Sequence, residues 1–151
     1  MKNTRLIDRW RSWAPYLLSI VRIVAALLFI QPGTAKLFAF PAAILPGGGT
    51  APIGSLIGIA GVLEVAGGFL ILIGLFTRPV AFLLSGEMAV AYFMAHAPQS
   101  FWTVLNRGEA AVFFAFFWLY LSSAGPGSWS VDAIWRRKRA GDRERTERGQ
   151  S

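Results

Sequence analysis

Polar residues crowd the two ends of the chain and almost leave its middle, where apolar runs are punctuated by glycine and proline. The first run covers 14–30 and holds a single charge, Arg22, before Pro32-Gly33 predicts its end. The second covers 53–76, with Glu64 as its single charge, and is long enough to cross a bilayer with some tilt. Thr77-Arg78-Pro79 predicts a tight turn, and a third run follows over 79–97, with Glu87 in its middle and His96 at its end. The fourth, 109–124, is aromatic along Phe113, Phe114, Phe116, Phe117, Trp118 and Tyr120, and Gly125-Pro126-Gly127 stops it. Helices hydrophobic all round are a liability in water and none in lipid. The pattern predicts an all-α integral membrane protein, a four-helix bundle with four transmembrane helices.

The flanks read differently. Residues 1–13 are basic and carry Trp10 and Trp13, which suits an interfacial segment with rings at headgroup level. The loop over 31–52 is rich in Pro and Gly yet holds Phe38, Phe40, Ile44 and Leu45, so a partly buried or re-entrant course is expected. A short amphipathic stretch begins at Ser128–Asp132, closing a membrane domain over 14–135. The tail over 136–151 is mixed-charge and basic, a composition expected to lack fixed structure. A cleavable leader is disfavoured, because Arg22 interrupts the first apolar run.

Composition sharpens this reading. Of 151 residues, 54% are hydrophobic and 15% charged, against about 25% charged in soluble domains. There is no Cys and one His. Thiolate metal sites, bis-histidine haem and multi-histidine metal sites therefore lack ligands within one chain, and no metal or haem is expected. No phosphate-binding loop, dinucleotide fingerprint or nucleophile elbow is present, and Gly47-Gly48-Gly49 lacks the Lys and Ser/Thr of a phosphate cradle. The net charge of +7 comes from arginines flanking apolar spans, which is how cytoplasmic flanks are marked, and not from a nucleic-acid surface. With four crossings, Lys2, Arg5, Arg9, Arg11, Arg78 and the basic tail share one side, while Lys36 and Arg107 stand on the other. Both termini are then cytoplasmic, in a bacterial inner (plasma) membrane.

Charges inside the apolar runs carry the candidate chemistry. An ionised group at mid-bilayer costs a few kcal/mol or more unless paired or hydrated. At about 1.5 Å per residue, Arg22 and Glu87 fall about 12 Å deep and Glu64 about 18 Å. The expected arrangement is Arg22 between Glu64 and Glu87 as a buried polar or ligand site, with one of the two acids keeping its proton. Its alternatives are a structural ion pair and a site for proton transfer or for a polar head group such as a quinone carbonyl. Gly54, Gly58 and Gly61 form a small-residue stripe for helix packing. Lys36, His96, Arg107 and Glu109 are expected to line an outer mouth, and Thr77 and Arg78 the cytoplasmic turn.

Several phrases occur together: Arg22; Gly33-x-x-Lys36-Leu37-Phe38; Gly61-Val-Leu-Glu64-x-x-Gly67-Gly68; Gly74-Leu-Phe-Thr77-Arg78; Asn106-x-Gly108-Glu109; and Gly125-Pro-Gly127-Ser-Trp-Ser130-Val-Asp132. Their order and spacing resemble the DoxX family of small bacterial membrane proteins, over roughly residues 16–135. The resemblance implies a four-helix membrane bundle, and it matches Arg22, Lys36, Glu64, Arg78, Glu109 and Asp132 to family motif positions. It also implies a link to quinone-dependent sulfur oxidation and to oxidative-stress complexes. On that basis the chain is expected to be a non-autonomous membrane subunit of a redox assembly, with quinone as cofactor and soluble or membrane redox proteins as partners. Any catalysis would be that of the membrane subunit of a quinone-linked oxidoreductase. The alternatives are a non-catalytic scaffold that recruits soluble partners, and a conduit for a small solute or protons. A homo-oligomer is a further option.

Overall fold

The apolar runs become helices. In this computed structural model, which describes residues 2–149, all regular structure among the described residues is helical. Helix α1 (Lys2–Phe38) is 37 residues long and absorbs the basic flank, the first apolar run and the start of the loop. It passes through Pro15 and Pro32, so the helix end expected at Pro32-Gly33 does not occur. A proline inside a membrane helix is tolerated where neighbouring groups take up the freed backbone positions. Pro32 removes the donor to Leu28 O; beside it Gln31 Nε2 donates to Leu27 O at 3.4 Å and Thr34 Oγ1 to Gln31 O at 2.9 Å, which adds side-chain bonds to the flanking carbonyls. The chain leaves the helix at Ala39, in the left-handed region with φ 51°.

Helix α2 (Leu56–Ile73) starts and stops inside the expected 53–76. Ser55 caps it, its Oγ accepting from Gly58 N at 3.0 Å. Gly74, at φ 70°, closes it with its N–H on Ile71 O, while Leu75 N reaches Leu70 O. Thr77-Arg78-Pro79, expected as a tight turn, is instead the first turn of helix α3 (Thr77–Ala91), the chain reversing over 74–76; proline is tolerated in a first turn, where its missing N–H has no helical partner to lose. Helix α3 continues into a wider π-helical turn over Tyr92–His96. A short α4 (Thr103–Asn106) leads to α5 (Glu109–Ala124), which has the bounds of the fourth apolar run. Helix α6 (Val131–Gly149) corrects the expectation of an unstructured tail beyond residue 136. Arg, Lys, Glu and Ala are strong helix formers, and Ser130 starts the helix by accepting from Ala133 N at 3.1 Å. Gln150 and Ser151, the end of that expected tail, lie outside the described residues.

Three of these segments are long and apolar enough to cross a membrane: Ile7–Phe38, Leu56–Ile73 and Thr77–His96. Helix α5, at 16 residues, is apolar but shorter. Helix α1 packs along α2 and α3 along α5, and a thinner seam joins α2 to α3. Phe29 of α1, Ile71 of α2, Leu84 of α3 and Trp118 of α5 meet in one core, where Phe29 and Trp118 stack edge to face at 5.2 Å. The outward faces carry Val24, Leu28, Phe69, Phe82 and Phe116, each more than half exposed. Such a surface belongs in hydrocarbon.

Candidate functional site

Two close helix approaches decide where the charges go. A Cβ on Gly33 would lie 2.9 Å from Gly61 O and 2.9 Å from Glu64 Cβ, so α1 and α2 cross nearly backbone to backbone. Across the seam, Gly67 seats Leu84, whose Cδ2 would stand 2.7 Å from an added Cβ. The antiparallel register that joins Gly67 to Leu84 brings Glu64 level with Glu87 one turn further on. The working packing stripe is therefore Gly33, Gly61, Gly67 and Gly68. Gly58 abuts Pro52 of its own loop, and Gly54 lies before α2 with nothing around it, a correction to the expected Gly54–Gly58–Gly61 face.

Lys36 sits one turn beyond Gly33 and folds onto Glu64. Its Nζ lies 2.6 Å from Oε1 and 2.7 Å from Oε2. Glu64 is 2% exposed, and this is the one ion pair among the described residues. Glu87 lies within electrostatic reach of both partners. Its two carboxylate oxygens are buried and accept no hydrogen bond. One layer at the α1–α2–α3 junction thus holds two acids and one base, and the base is Lys36.

Arg22 does not stand between the acids, as charge balance along the sequence suggested. It lies on α1 about 21 Å along the axis from Lys36, fully buried at the opposite end of the bundle. Its Nη2 donates to Trp129 O at 2.6 Å, and its guanidinium packs against Gly74, where no side chain fits. Around it the α5–α6 loop is tied to α1, and α3 is tied to α5 and α6. Trp129 N donates to Ser19 Oγ at 3.1 Å and Ser128 N to Pro15 O at 3.2 Å. Asp132 accepts from the N–H groups of Phe76 and Thr77, each at 2.9 Å, and so caps α3. Arg78 donates to the carbonyls of Ser122 and Ser123 at the end of α5. Arg22, Thr77, Arg78 and Asp132 join the helices at this end, and Arg22 keeps Nε and Nη1 buried without a partner. Helix spacing alone set Arg22 near the depth of Glu87, but it is the loop after α5 that claims it.

At the other end, His96 Nδ1 stands 2.8 Å from Asn106 O, with the ring stacked on Tyr92. Asn106 is buried, its Oδ1 accepting from Gly108 N at 2.7 Å and its Nδ2 donating to Ser100 O at 2.8 Å. Arg107 and Glu109 are exposed. Lys36, expected among these residues, turns inward to Glu64 instead. Asn106 was not singled out as a site residue; the Asn-x-Gly turn signal was the available pointer to it.

Comparison with known proteins agrees with this framework. The DoxX family model matches residues 17–97. The chain belongs to the DoxX family. A Haemophilus influenzae protein described as uncharacterized is 41% identical over 129 residues, covering 83% of this chain and 96% of that one. No solved structure matches the chain. With three long apolar helices, this DoxX chain is a membrane protein. The family match spans Arg22, Lys36, Glu64 and Glu87, whereas Asn106, Glu109 and Asp132 lie beyond it.

Proposed function

We propose that this DoxX protein crosses the bacterial inner membrane four times with both termini in the cytoplasm, and that the Lys36–Glu64–Glu87 layer binds the polar head group of a membrane-soluble redox ligand, a quinone. In this reading the chain is the membrane subunit of a redox or oxidative-stress assembly. The topology rests on charge. Arg78, Arg136 and Arg137 are exposed at one end, and with Lys36 drawn onto Glu64, Arg107 is the exposed cation at the other among the described residues. Helix α5, with 16 residues, reaches about 24 Å and crosses with local thinning of the bilayer.

The observation that carries the ligand reading is Glu87. A buried carboxyl with both oxygens unsatisfied is a polar group in the seam that lacks a hydrogen-bond partner. A head group that offers a hydrogen-bond partner fits it. Lys36 has three donors and commits two to Glu64, which leaves one for a carbonyl oxygen. When bound, a quinone supplies two-electron, two-proton redox chemistry. The chain's own residues orient the carbonyl through Lys36, hold Lys36 through Glu64, and offer an exchangeable proton at Glu87. With no Cys in the chain, thiol chemistry belongs to the partner.

The test is quinone bound to protein purified in mild detergent, wild type beside Glu87→Gln. Retention by the wild type and loss of roughly tenfold or more in affinity for Glu87→Gln, about 1.4 kcal/mol, is the expected result. A wild type that neither carries nor binds quinone sinks the proposal. So does a Glu87→Gln protein that binds it equally well.

A further inference from the structure

At the basic end of the bundle lies a groove of about 610 Å³, far from the Lys36–Glu64 layer. Its floor is apolar, with Pro15 and Leu18 of α1 and Ala133 of α6. Its rim holds Arg78 of α3 and Arg136 and Arg137 of α6. Neither Asp nor Glu lines it. Among the described residues none of these arginines forms an ion pair, and Asp132, the nearby acid, is spent on the N–H groups of Phe76 and Thr77. Arg78 keeps Nε and Nη2 after Nη1 has served Ser122 and Ser123.

The level of this groove is marked independently. Trp10, Trp13, Trp129 and Trp135 are exposed by 70%, 63%, 55% and 46% at the same end of the molecule. Exposed tryptophans at one end of an apolar bundle mark the headgroup zone. A guanidinium fork matches phosphate geometry. We infer that the groove bounded by Arg78, Arg136 and Arg137 is a binding site for an anionic glycerophospholipid, its phosphate on the arginines and the start of its acyl chains over Pro15 and Leu18. Cations near the surface attract anionic lipid diffusely as well. The groove adds geometry: three guanidiniums from two helices converge over apolar carbon at the depth of the phosphate. An acidic protein surface would find the charge but has no use for that floor. The inference is independent of the quinone reading.

The experiment is native mass spectrometry of the full chain in detergent with phosphatidylglycerol or phosphatidylcholine, and a phosphate competition. Wild type is expected to retain phosphatidylglycerol in preference to phosphatidylcholine. Arg136→Gln/Arg137→Gln lowers that retention about tenfold or more. Arg143→Gln/Arg145→Gln, the same charge change further along α6, lowers it by less than about twofold. Three results overturn the site: equal retention of both lipids by wild type, equal loss in both double variants, or displacement by inorganic phosphate. The first and third are read on wild type alone, so misfolding of a variant leaves the inference testable.

Discussion

Lys36 and Glu64 are a committed pair and Glu87 is the odd charge, and that difference is measurable. Lys36→Met leaves a carboxylate that is 2% exposed without its counter-ion, and stability is expected to fall by about 2–4 kcal/mol, read as a lower thermal midpoint in detergent. Glu87→Gln removes a group whose oxygens have no partner, so the midpoint should hold or rise. Equal losses in the two variants would show that Glu87 also has a structural partner. Arg22→Gln forfeits the bond to Trp129 O and should cost about 1–3 kcal/mol while quinone binding survives. Loss of binding with the fold intact would return Arg22 to the ligand site. These roles were only half legible in the sequence. Each charge stood out because it interrupted an apolar run, but a run does not say which charge meets which. Lys36 looked like an outer residue because Pro32-Gly33 looked like a helix end.

At the scale of elements, two devices hold the helices in register. Gly33 lets α1 touch α2, and a β-branched side chain there meets Gly61 O and Glu64 Cβ, both 2.9 Å from an added Cβ. Gly33→Val is expected to lower stability by about 1–3 kcal/mol and to part Lys36 from Glu64. A variant as stable as wild type would mean the helices do not cross here. Asp132 acts across the chain instead, capping α3 from α6 through two N–H groups. Asp132→Ala should cost about 1–2 kcal/mol, with Asp132→Asn milder because an amide oxygen still accepts one bond. Identical effects would deny the cap. The apolar runs were legible as helices and the Gly-Pro-Gly stop was a good guide at Gly125, whereas the turn expected at Thr77-Arg78-Pro79 falls earlier, over 74–76. Such signals failed at Pro32, where a neighbouring helix rather than local propensity decides, and at residue 136, where strong helix formers carry α6 onward.

For the whole molecule, the proposed topology is directly measurable, because the absence of Cys makes single-cysteine labelling free of background. Gly141→Cys on α6 and Gln99→Cys between α3 and α4 are exposed positions. In sealed cells, a membrane-impermeant maleimide is expected to label Gln99→Cys and to spare Gly141→Cys until the membrane is opened. The reverse pattern would invert the orientation, and equal labelling would mean an odd number of crossings between the two positions is absent.

Sequence by itself determined that this chain is helical and lives in a membrane, because hydrophobic length and charge segregation are one-dimensional properties that lipid and water read directly. It also supplied the phrases that mark a DoxX chain. Tertiary structure alone decided which base serves the buried acids. Lys36 reaches Glu64 because α1 stays helical through Pro32 and Gly33 lets it lie against α2, and Arg22 is drawn away because a loop distant in the chain offers it the Trp129 carbonyl. Partner choice among buried charges depends on distances of a few ångströms between helices, which helix packing sets and residue spacing along one helix does not contain.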